Sequence, residues 1–243
     1  MLDKSAPPLP GRAIIRQRWS DLVFLHWRVA PETVASLLPP GTRPDVDANG
    51  DTWVGLIPFV LSHSQFFPPL PAVPYVGTFV ECNVRLYSID DAGNRGVVFR
   101  SLEAQRAIPV ITARLLFGLP YRWARMRKTG LDFTSRRLTG SHPTTHIVAH
   151  ATTTAVDTEL SRFLTARWGF HERVRGHTIW ARNHHEPWEL FDARLDRLDD
   201  QLLAAAGFPG LADRAPDSVL YSPGVTTVFA KPTRLKCGAV ASP

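Results

Sequence analysis

Hydrophobic and polar positions alternate over short distances along this 243-residue chain, and prolines and glycines interrupt the pattern often. The sequence contains 21 prolines and 16 glycines, which favours many short strands over long helices. Residues 52–62 are apolar on both alternating faces and predict a buried central strand, with Pro58 at a bulge or a locally unpaired position. Further strands are predicted over residues 97–104, 133–155, 176–185 and 219–230, the last with a Pro-Gly break.

The strand predicted over residues 78–88 has two chemically different faces. Strand side chains point alternately to opposite sides of a sheet. One side carries Val80, Cys82, Val84 and Leu86, and the other carries Phe79, Glu81, Asn83, Arg85 and Tyr87. Residues 90–96 are rich in Asp, Asn and Gly and predict the turn into the next strand.

Helices are predicted in residues 31–38, after Pro109 within residues 105–117, and in residues 158–168 and 190–206. The third of these follows a capping Asp157 or Thr158. The fourth depends on the helical spacing of Leu195, Leu198 and Leu202, with Gly207 as the stop. Together with the strands, these segments predict a β-rich α+β fold with a few short helices.

We find no low-complexity linker or internal repeat that would divide the chain. We therefore expect a single domain over residues 15–232. Residues 1–14 are expected to form a flexible N-terminal segment, and residues 233–243 a C-terminal tail.

The charged residues are unevenly distributed between lysine and arginine. Lysine occurs at only four positions, so 24 of the 28 cationic residues are arginine, and the formal net charge is +6. Because lysine is scarce, the chain offers few amines for covalent chemistry. Because arginine keeps its charge when buried, the chain offers many groups for anion binding. The densest basic stretch runs from Arg122 to Arg137 without any nucleic-acid-binding motif, so we expect no nucleic-acid partner.

Composition also limits compartment and metal content. No apolar run approaches the roughly 20 residues that span a bilayer. The N-terminus lacks the apolar stretch of a signal peptide, so we expect a cytoplasmic protein without a membrane partner. His142, His146 and His150 recur at four-residue spacing. On a strand such positions stand about 13 Å apart, too far to share one ion, and we expect neither a metal nor another cofactor.

Two groups of residues are candidates for chemistry. The face with Glu81, Asn83 and Arg85 combines an acid, an amide and a guanidinium, which would have to pair or bind a ligand if the face is buried. If it is exposed, the same residues are a solvated surface. Residues 184–188 stand at the predicted junction of a strand and a helix, where His184 and Trp188 are candidate ligand-binding residues. The alternative there is a capped turn with Trp188 packed in the core.

Six segments, taken in order, resemble a known family. They are residues 24–41, 53–59, 81–87, 96–103, 118–126 and 185–190. Over about residues 15–232 the chain is similar to the YqjF-like proteins, domain of unknown function 2071. The resemblance implies the fold of acetoacetate decarboxylase, a cone-like barrel of antiparallel strands with short peripheral helices around a small-molecule pocket. In this context Glu81 resembles the pocket glutamate of that enzyme.

The two residues that follow positions 118–120 depart from the decarboxylase pattern. That enzyme keeps a pair of lysines after a Gly-aromatic-Pro turn, one of which forms a Schiff base with the substrate. Here the two following residues are Tyr121 and Arg122, and neither forms an imine. Acetoacetate decarboxylase activity is therefore not expected.

These observations leave two functions open. The first is a lyase-like or isomerase-like enzyme that transfers a proton, cyclises or hydrates a small carbonyl or carboxylate compound without a covalent intermediate. Arg85 or Arg122 would then hold the anion, with Asn83, His184 and Trp188 in the binding site, and Glu81 or Tyr121 would move the proton. The second is a binding or sensing protein that does no chemistry on the same ligand. A homo-oligomer is compatible with either function.

Overall fold

Strands dominate the computed structural model of the protein, which describes residues 4–69, 78–105 and 118–235. The strands are β1 (Ala13–Val29), β2 (Thr42–Pro44), β3 (Thr52–Phe66), β4 (Phe79–Asp90), β5 (Arg95–Ala104), β6 (Tyr121–Thr129), β7 (Asp132–Arg137), β8 (Thr144–Ala155), β9 (Gly169–Val174), β10 (His177–His184), β11 (Phe191–Asp200), β12 (Ser218–Ala230) and β13 (Thr233–Arg234). The helices are α1 (Pro31–Ala35), α2 (Glu159–Thr165) and α3 (Leu202–Ala205), and Leu211–Asp213 form a 3₁₀ turn. This confirms the β-rich class predicted from the sequence.

The described strands pair into two closed circuits. The first runs β1-β3-β4-β5-β9-β10-β12 and returns to β1. The second leaves β5 through β6, β7, β8 and β11 before it reaches β12. All pairings are antiparallel except those of β5 with β6 and with β9. The strands β12, β1, β3, β4 and β5 therefore form a wall that both circuits share.

The shared wall separates two hydrophobic cores, because alternate side chains of each strand point to opposite sides. On β4, Phe79 and Tyr87 pack in the first core, whereas Val80, Cys82, Val84 and Leu86 pack in the second. The two-faced pattern predicted for this strand is thus confirmed. Because both faces are buried, its polar positions cannot be a solvated surface.

Proline and glycine mark the irregular points of the wall. Pro58 lies where the β1–β3 pairing is interrupted, between Ser20 and Leu25, as the bulge prediction requires. The Pro-Gly step of β12 does not end the strand, which continues to Ala230. Instead, Gly224 adopts a positive φ of 114°, and a Cβ there would lie 1.9 Å from the carbonyl oxygen of Trp19. Only glycine allows this close approach of the two backbones.

Three of the predicted helices can be compared with the structure. The first is shorter than predicted and ends at Ala35. The helix predicted over residues 158–168 is α2. Its N-cap is Thr158, which forms a capping box with Ser161. The prediction over residues 190–206 is wrong except at α3, because most of that segment is strand β11, paired with β8 and β12. The prediction after Pro109 lies outside the described residues.

Five further strands, β1, β2, β6, β9 and β13, were not recognised in the sequence, and one predicted strand is divided. Strand β1 is long and pairs on both sides, and β6 contains the basic stretch that follows Pro120. Residues 133–155 form two strands, β7 and β8, joined by a turn. No helix in the described part of the chain has the length and apolar character needed to cross a membrane.

Candidate active site

A cavity of about 170 Å³ lies inside the first circuit of strands. All seven strands of that circuit contribute to its wall, together with the first residue of β6. Most of the lining side chains are aromatic or aliphatic, and a few polar groups interrupt them. This composition is typical of a small-molecule site, in which apolar walls bind and sparse polar groups orient the ligand.

A carboxyl–phenol pair lies at one end of the cavity. Tyr121 donates its hydroxyl to Oε2 of Glu81 at 2.9 Å, and both residues are buried. They come from β4 and β6, which lie on either side of β5, where Glu81 is opposite Ala104 and Tyr121 is beside Leu102. We call Glu81 and Tyr121 the acid end of the cavity.

Burial controls the protonation of the acid end. It raises the pKa of Glu81 to about 8, although the hydrogen bond from Tyr121 lowers that pKa in part. Burial and the neighbouring Glu81 carboxylate also raise the pKa of Tyr121 well above its usual value. At neutral pH both groups are therefore mainly protonated. A carboxyl group that titrates near neutral pH is suited to act as a general acid or base.

Arg85 lies on the same face of β4 as Glu81, four residues further along. Its guanidinium donates to the Tyr87 hydroxyl at 3.1 Å and to the carbonyl oxygen of Leu164 at 3.1 Å. Both of these acceptors are neutral oxygens. Gly55 makes room for this arrangement, because a Cβ there would lie 3.3 Å from Cγ of Arg85 and 3.2 Å from the His26 ring.

A second guanidinium, that of Arg167, also lines the cavity. It forms a buried ion pair with Asp45, which at the same time binds Arg95 at 2.6 and 2.8 Å. Burial lowers the pKa of Arg167, whereas the charge of Asp45 raises it. One carboxylate is thus shared by two arginines, and Arg85 adds a third cation. We call Arg85 and Arg167 the basic end, and its excess positive charge favours an anionic ligand.

The C-terminus of α2 holds the basic end in place. The carbonyl oxygen of Phe163 accepts a hydrogen bond from Arg167 at 2.8 Å. The carbonyl oxygen of Leu164 accepts two hydrogen bonds, one from the Tyr87 hydroxyl at 3.0 Å and one from Arg85. The carbonyl oxygen of Thr165 accepts the indole N–H of Trp188 at 2.9 Å. Carbonyls at a helix end have no partner within the helix. Here side chains of the cavity wall satisfy them, and this fixes where those side chains point.

The structure brings most of the predicted site residues together. Five of them line the cavity: Glu81, Asn83, Arg85, Tyr121 and Trp188. Arg122 and His184 are not among its lining residues. Arg122 follows Tyr121 on β6 and lies beside Glu103 of β5, and His184 lies opposite Val228 of β12. Alternation along the strands explains both placements, since the inward neighbours are Tyr121 and His185.

Six polar residues of the cavity escaped prediction: Gln17, Ser64, Thr165, Arg167, Asn183 and His185. In the sequence, Arg167 is only a cation near a helix end, and its partner Asp45 is distant in the chain. His185 is buried between the rings of Trp168 and Trp188, with centroids 4.8 Å away in each case, and burial lowers its pKa to about 4. The alternation of β10 could have found Asn183 and His185, but only if the inward face had been known.

The remaining basic and histidine residues lie outside the cavity. Arg137 pairs with Glu103 at 2.5 Å, and Lys128 pairs with Asp21 at 2.7 Å. The exposed arginines of the basic stretch are Arg125, Arg127 and Arg136. In the described ranges no group of three or more His, Cys, Asp or Glu side chains is placed to hold a metal ion. His146 and His150 instead face Asp132 and Asp196, respectively.

Comparison with known sequences identifies relatives of this chain. Residues 16–226 match the model of a family described as an uncharacterized conserved protein, DUF2071. The protein YqjF of Bacillus subtilis (strain 168), described as uncharacterized, is 32% identical over 193 residues. That match covers 76% of this chain and 78% of the relative.

Solved structures share the fold at low sequence identity. Acetoacetate decarboxylase from Legionella pneumophila has a TM-score of 0.63 at 12% identity, covering 95% of this chain and 92% of that one. An acetoacetate decarboxylase-like enzyme from Sphingomonas wittichii RW1 has a TM-score of 0.62 at 13% identity, over 94% and 95% of the two chains. The enduracididine biosynthesis enzyme MppR, in complex with pyruvate, has a TM-score of 0.57 at 13% identity, over 93% and 92%.

Proposed function

Because the chain belongs to the DUF2071 family and shares the fold of acetoacetate decarboxylase-like enzymes, we propose that it is an enzyme acting on a small carbonyl or carboxylate compound. The ligand occupies the cavity with its anionic group at the basic end. Its reacting carbon lies towards the acid end, where Glu81 and Tyr121 move a proton. The reaction belongs to the enolisation, cyclisation or hydration types, which need no covalent intermediate.

The observation that carries this proposal is the buried Glu81–Tyr121 pair in the cavity wall, with a carboxyl pKa of about 8. As a carboxylate, Glu81 accepts a proton from the carbon next to the ligand carbonyl while that C–H bond breaks. The electron pair moves to the carbonyl oxygen, which accepts a hydrogen bond from a protonated neighbour. The Glu81 carboxyl then returns a proton to carbon or oxygen. Proton and charge are conserved over this cycle.

Schiff-base chemistry is not part of the proposal. Of the described lysines, Lys4, Lys128 and Lys231, none lines the cavity, and Lys128 is held by Asp21. Tyr121 occupies the inward position that follows the Gly118-Leu119-Pro120 turn. We therefore expect no release of carbon dioxide from acetoacetate and no trapping of a substrate by borohydride.

A solvent-exchange experiment with simple 2-oxo acids in place of the natural substrate tests the proposal. The protein is incubated in D₂O with pyruvate or 2-oxobutyrate, and loss of the proton next to the carbonyl is followed by NMR. We expect exchange above the buffer rate, rising with pH through about 8 as Glu81 ionises. Acetone, which has the carbonyl but no carboxylate, should exchange more slowly because it cannot bind the basic end.

Matched variants assign the exchange to the site. Glu81→Gln should lower the exchange rate at least about 100-fold, the usual contribution of a general base. Glu172→Gln is the control, because Glu172 also has a raised pKa, of about 7, through burial but does not line the cavity. Equal exchange rates in the Glu81→Gln variant and the unmodified protein would refute the assignment of Glu81.

One observation favours the alternative of a binding or sensing protein. Both groups of the acid end are mainly protonated at neutral pH, so they can also donate hydrogen bonds to a ligand without reacting. Native mass spectrometry of the purified protein distinguishes the two functions. A small acid that remains bound and unchanged after long incubation indicates a binding protein, whereas its conversion indicates an enzyme.

A further inference from the structure

Aromatic rings connect the basic end of the cavity with the acid end. At the basic end, the guanidinium carbon of Arg85 lies 5.5 Å from the ring centroid of Phe24. The Phe24 ring meets Trp188 edge to face, with centroids 5.4 Å apart and an interplanar angle of 80°. Trp188 is therefore the first lining ring beside the basic end.

The series of rings continues to the acid end. Trp188 and Trp19 are nearly parallel, at 15°, with centroids 6.2 Å apart. Trp19 contacts Phe59 at 6.0 Å, and Phe59 lies directly opposite Glu81 in the β3–β4 pairing. Trp19, Phe59 and Trp188 all line the cavity. A ligand that spans the two ends therefore has aromatic rings beside it from one end to the other, with aliphatic side chains elsewhere in the lining.

The size of the cavity limits the ligand further. A volume of about 170 Å³ slightly exceeds the roughly 150 Å³ of an engineered apolar cavity that accepts benzene. One planar ring with a small polar substituent fits this space. The basic end determines the charge of this substituent. Because Arg95 and Arg167 share the single carboxylate of Asp45, an anionic substituent is favoured there.

We propose that the ligand class of this cavity is the single-ring aromatic carboxylates, and this inference rests on the proposed function. The carboxylate binds Arg85 and Arg167, and the ring lies against Trp188 and Trp19. Substituents on the far side of the ring reach the acid end. Aromatic surroundings prefer an aromatic ligand to a saturated one of equal size, since ring faces and edges carry opposite partial charges.

Calorimetric titration of the unmodified protein with three acids tests this inference. Benzoate has the ring and the carboxylate, cyclohexanecarboxylate has the same substituent on a saturated ring, and acetate has only the carboxylate. We expect benzoate to bind about three- to ten-fold more tightly than cyclohexanecarboxylate, the size of an aromatic pair interaction. Acetate should bind at least about ten-fold more weakly than benzoate, because it buries no ring.

Matched tryptophan variants locate the preference. Trp188→Leu should reduce the ratio of benzoate to cyclohexanecarboxylate affinity towards one. Trp123→Leu is the control, because Trp123 is 48% exposed on β6 and does not line the cavity. If Trp188→Leu fails to fold, Trp19→Leu replaces it, with the same expected loss of preference.

The outcomes separate this inference from the proposed function. If the three acids bind equally well, or if cyclohexanecarboxylate binds best, the inference is wrong while an anion-binding cavity remains. If none of the three acids binds, and pyruvate and 2-oxobutyrate show neither binding nor exchange, the proposed function itself fails. A benzoate preference that persists in Trp188→Leu, or in Trp19→Leu where it replaces that variant, would also overturn the inference, because the ring would then bind elsewhere.

Discussion

Glu81 derives its chemistry from the residues that burial places around it. On one side it faces the cavity, and on the other it receives a hydrogen bond from Tyr121. Burial disfavours the carboxylate, and the hydrogen bond stabilises it, so the two effects oppose each other. Tyr121 therefore tunes the acid in addition to any contact with the ligand.

Replacing Tyr121 by Phe should raise the pKa of Glu81 further above 8, because the hydrogen bond that stabilises the carboxylate is lost. A bond to a charged group contributes about 1.5–3 kcal/mol, which corresponds to roughly one to two pKa units. The pKa can be followed by carbon-13 NMR of labelled glutamate carboxyls. Tyr221→Phe is the control, since Tyr221 donates to Asp21 at 3.4 Å outside the cavity. An unchanged pKa of Glu81 would contradict the tuning role.

At the scale of elements, α2 and the β2–β3 connection together build the basic end. Asp45, in that connection, accepts from Arg95 of β5 and from Arg167 just after α2. Its backbone N–H donates to the carbonyl oxygen of Tyr87 on β4 at 3.1 Å. Asp45 thus connects β5, through its carboxylate, and β4, through its backbone, to the helix end that orients Arg85.

Asp45→Asn should destabilise the protein by about 3–5 kcal/mol, because it leaves the buried Arg167 guanidinium without its counter-charge. Chemical unfolding at neutral pH measures this change. Asp199→Asn is the matched control, since Asp199 pairs with Arg197 on the exposed surface and should cost less than about 1 kcal/mol. Equal losses in the two variants would show that the buried ion pair has no special role.

The elements also show where periodicity suffices for prediction. The alternation of β4 predicted both of its faces correctly, because the apolar residues of the two faces are buried in different cores. The leucine spacing of β11 did not, because Leu195 and Leu198 are only half-buried and the strand is bulged in its pairing with β8. A bulge shifts the strand period by one residue and can imitate helical spacing over a short segment.

At the scale of the whole molecule, the acid end reduces stability at higher pH. The folded pKa of Glu81, about 8, lies above its unfolded value, so the folded state binds this proton more tightly. The stabilising contribution is complete below the unfolded pKa of about 4.3 and is lost as the pH rises through about 8. The contribution of Glu81 to stability therefore falls between its unfolded and its folded pKa.

Glu81→Gln should remove this pH dependence. The free energy of unfolding of the variant minus that of the unmodified protein should increase by a few kcal/mol from pH 5 to pH 8. Each pKa unit corresponds to about 1.4 kcal/mol. Unfolding by urea at several pH values measures the difference. If the two stability curves remain parallel across this range, Glu81 does not carry a raised pKa in the folded protein.

The amino-acid sequence by itself determined the β-rich class, the two faces of β4 and the presence of Tyr121 and Arg122, which form no imine, after residues 118–120. These are local properties, because strand alternation and side-chain identity do not depend on distant residues. Only the tertiary structure decided that both faces of β4 are buried, that Tyr121 reaches Glu81 across β5, and that Arg167 joins Arg85 through α2. These contacts depend on how the circuits of strands close, which brings together residues far apart in the chain, such as Asp45 and Arg167, 122 positions apart.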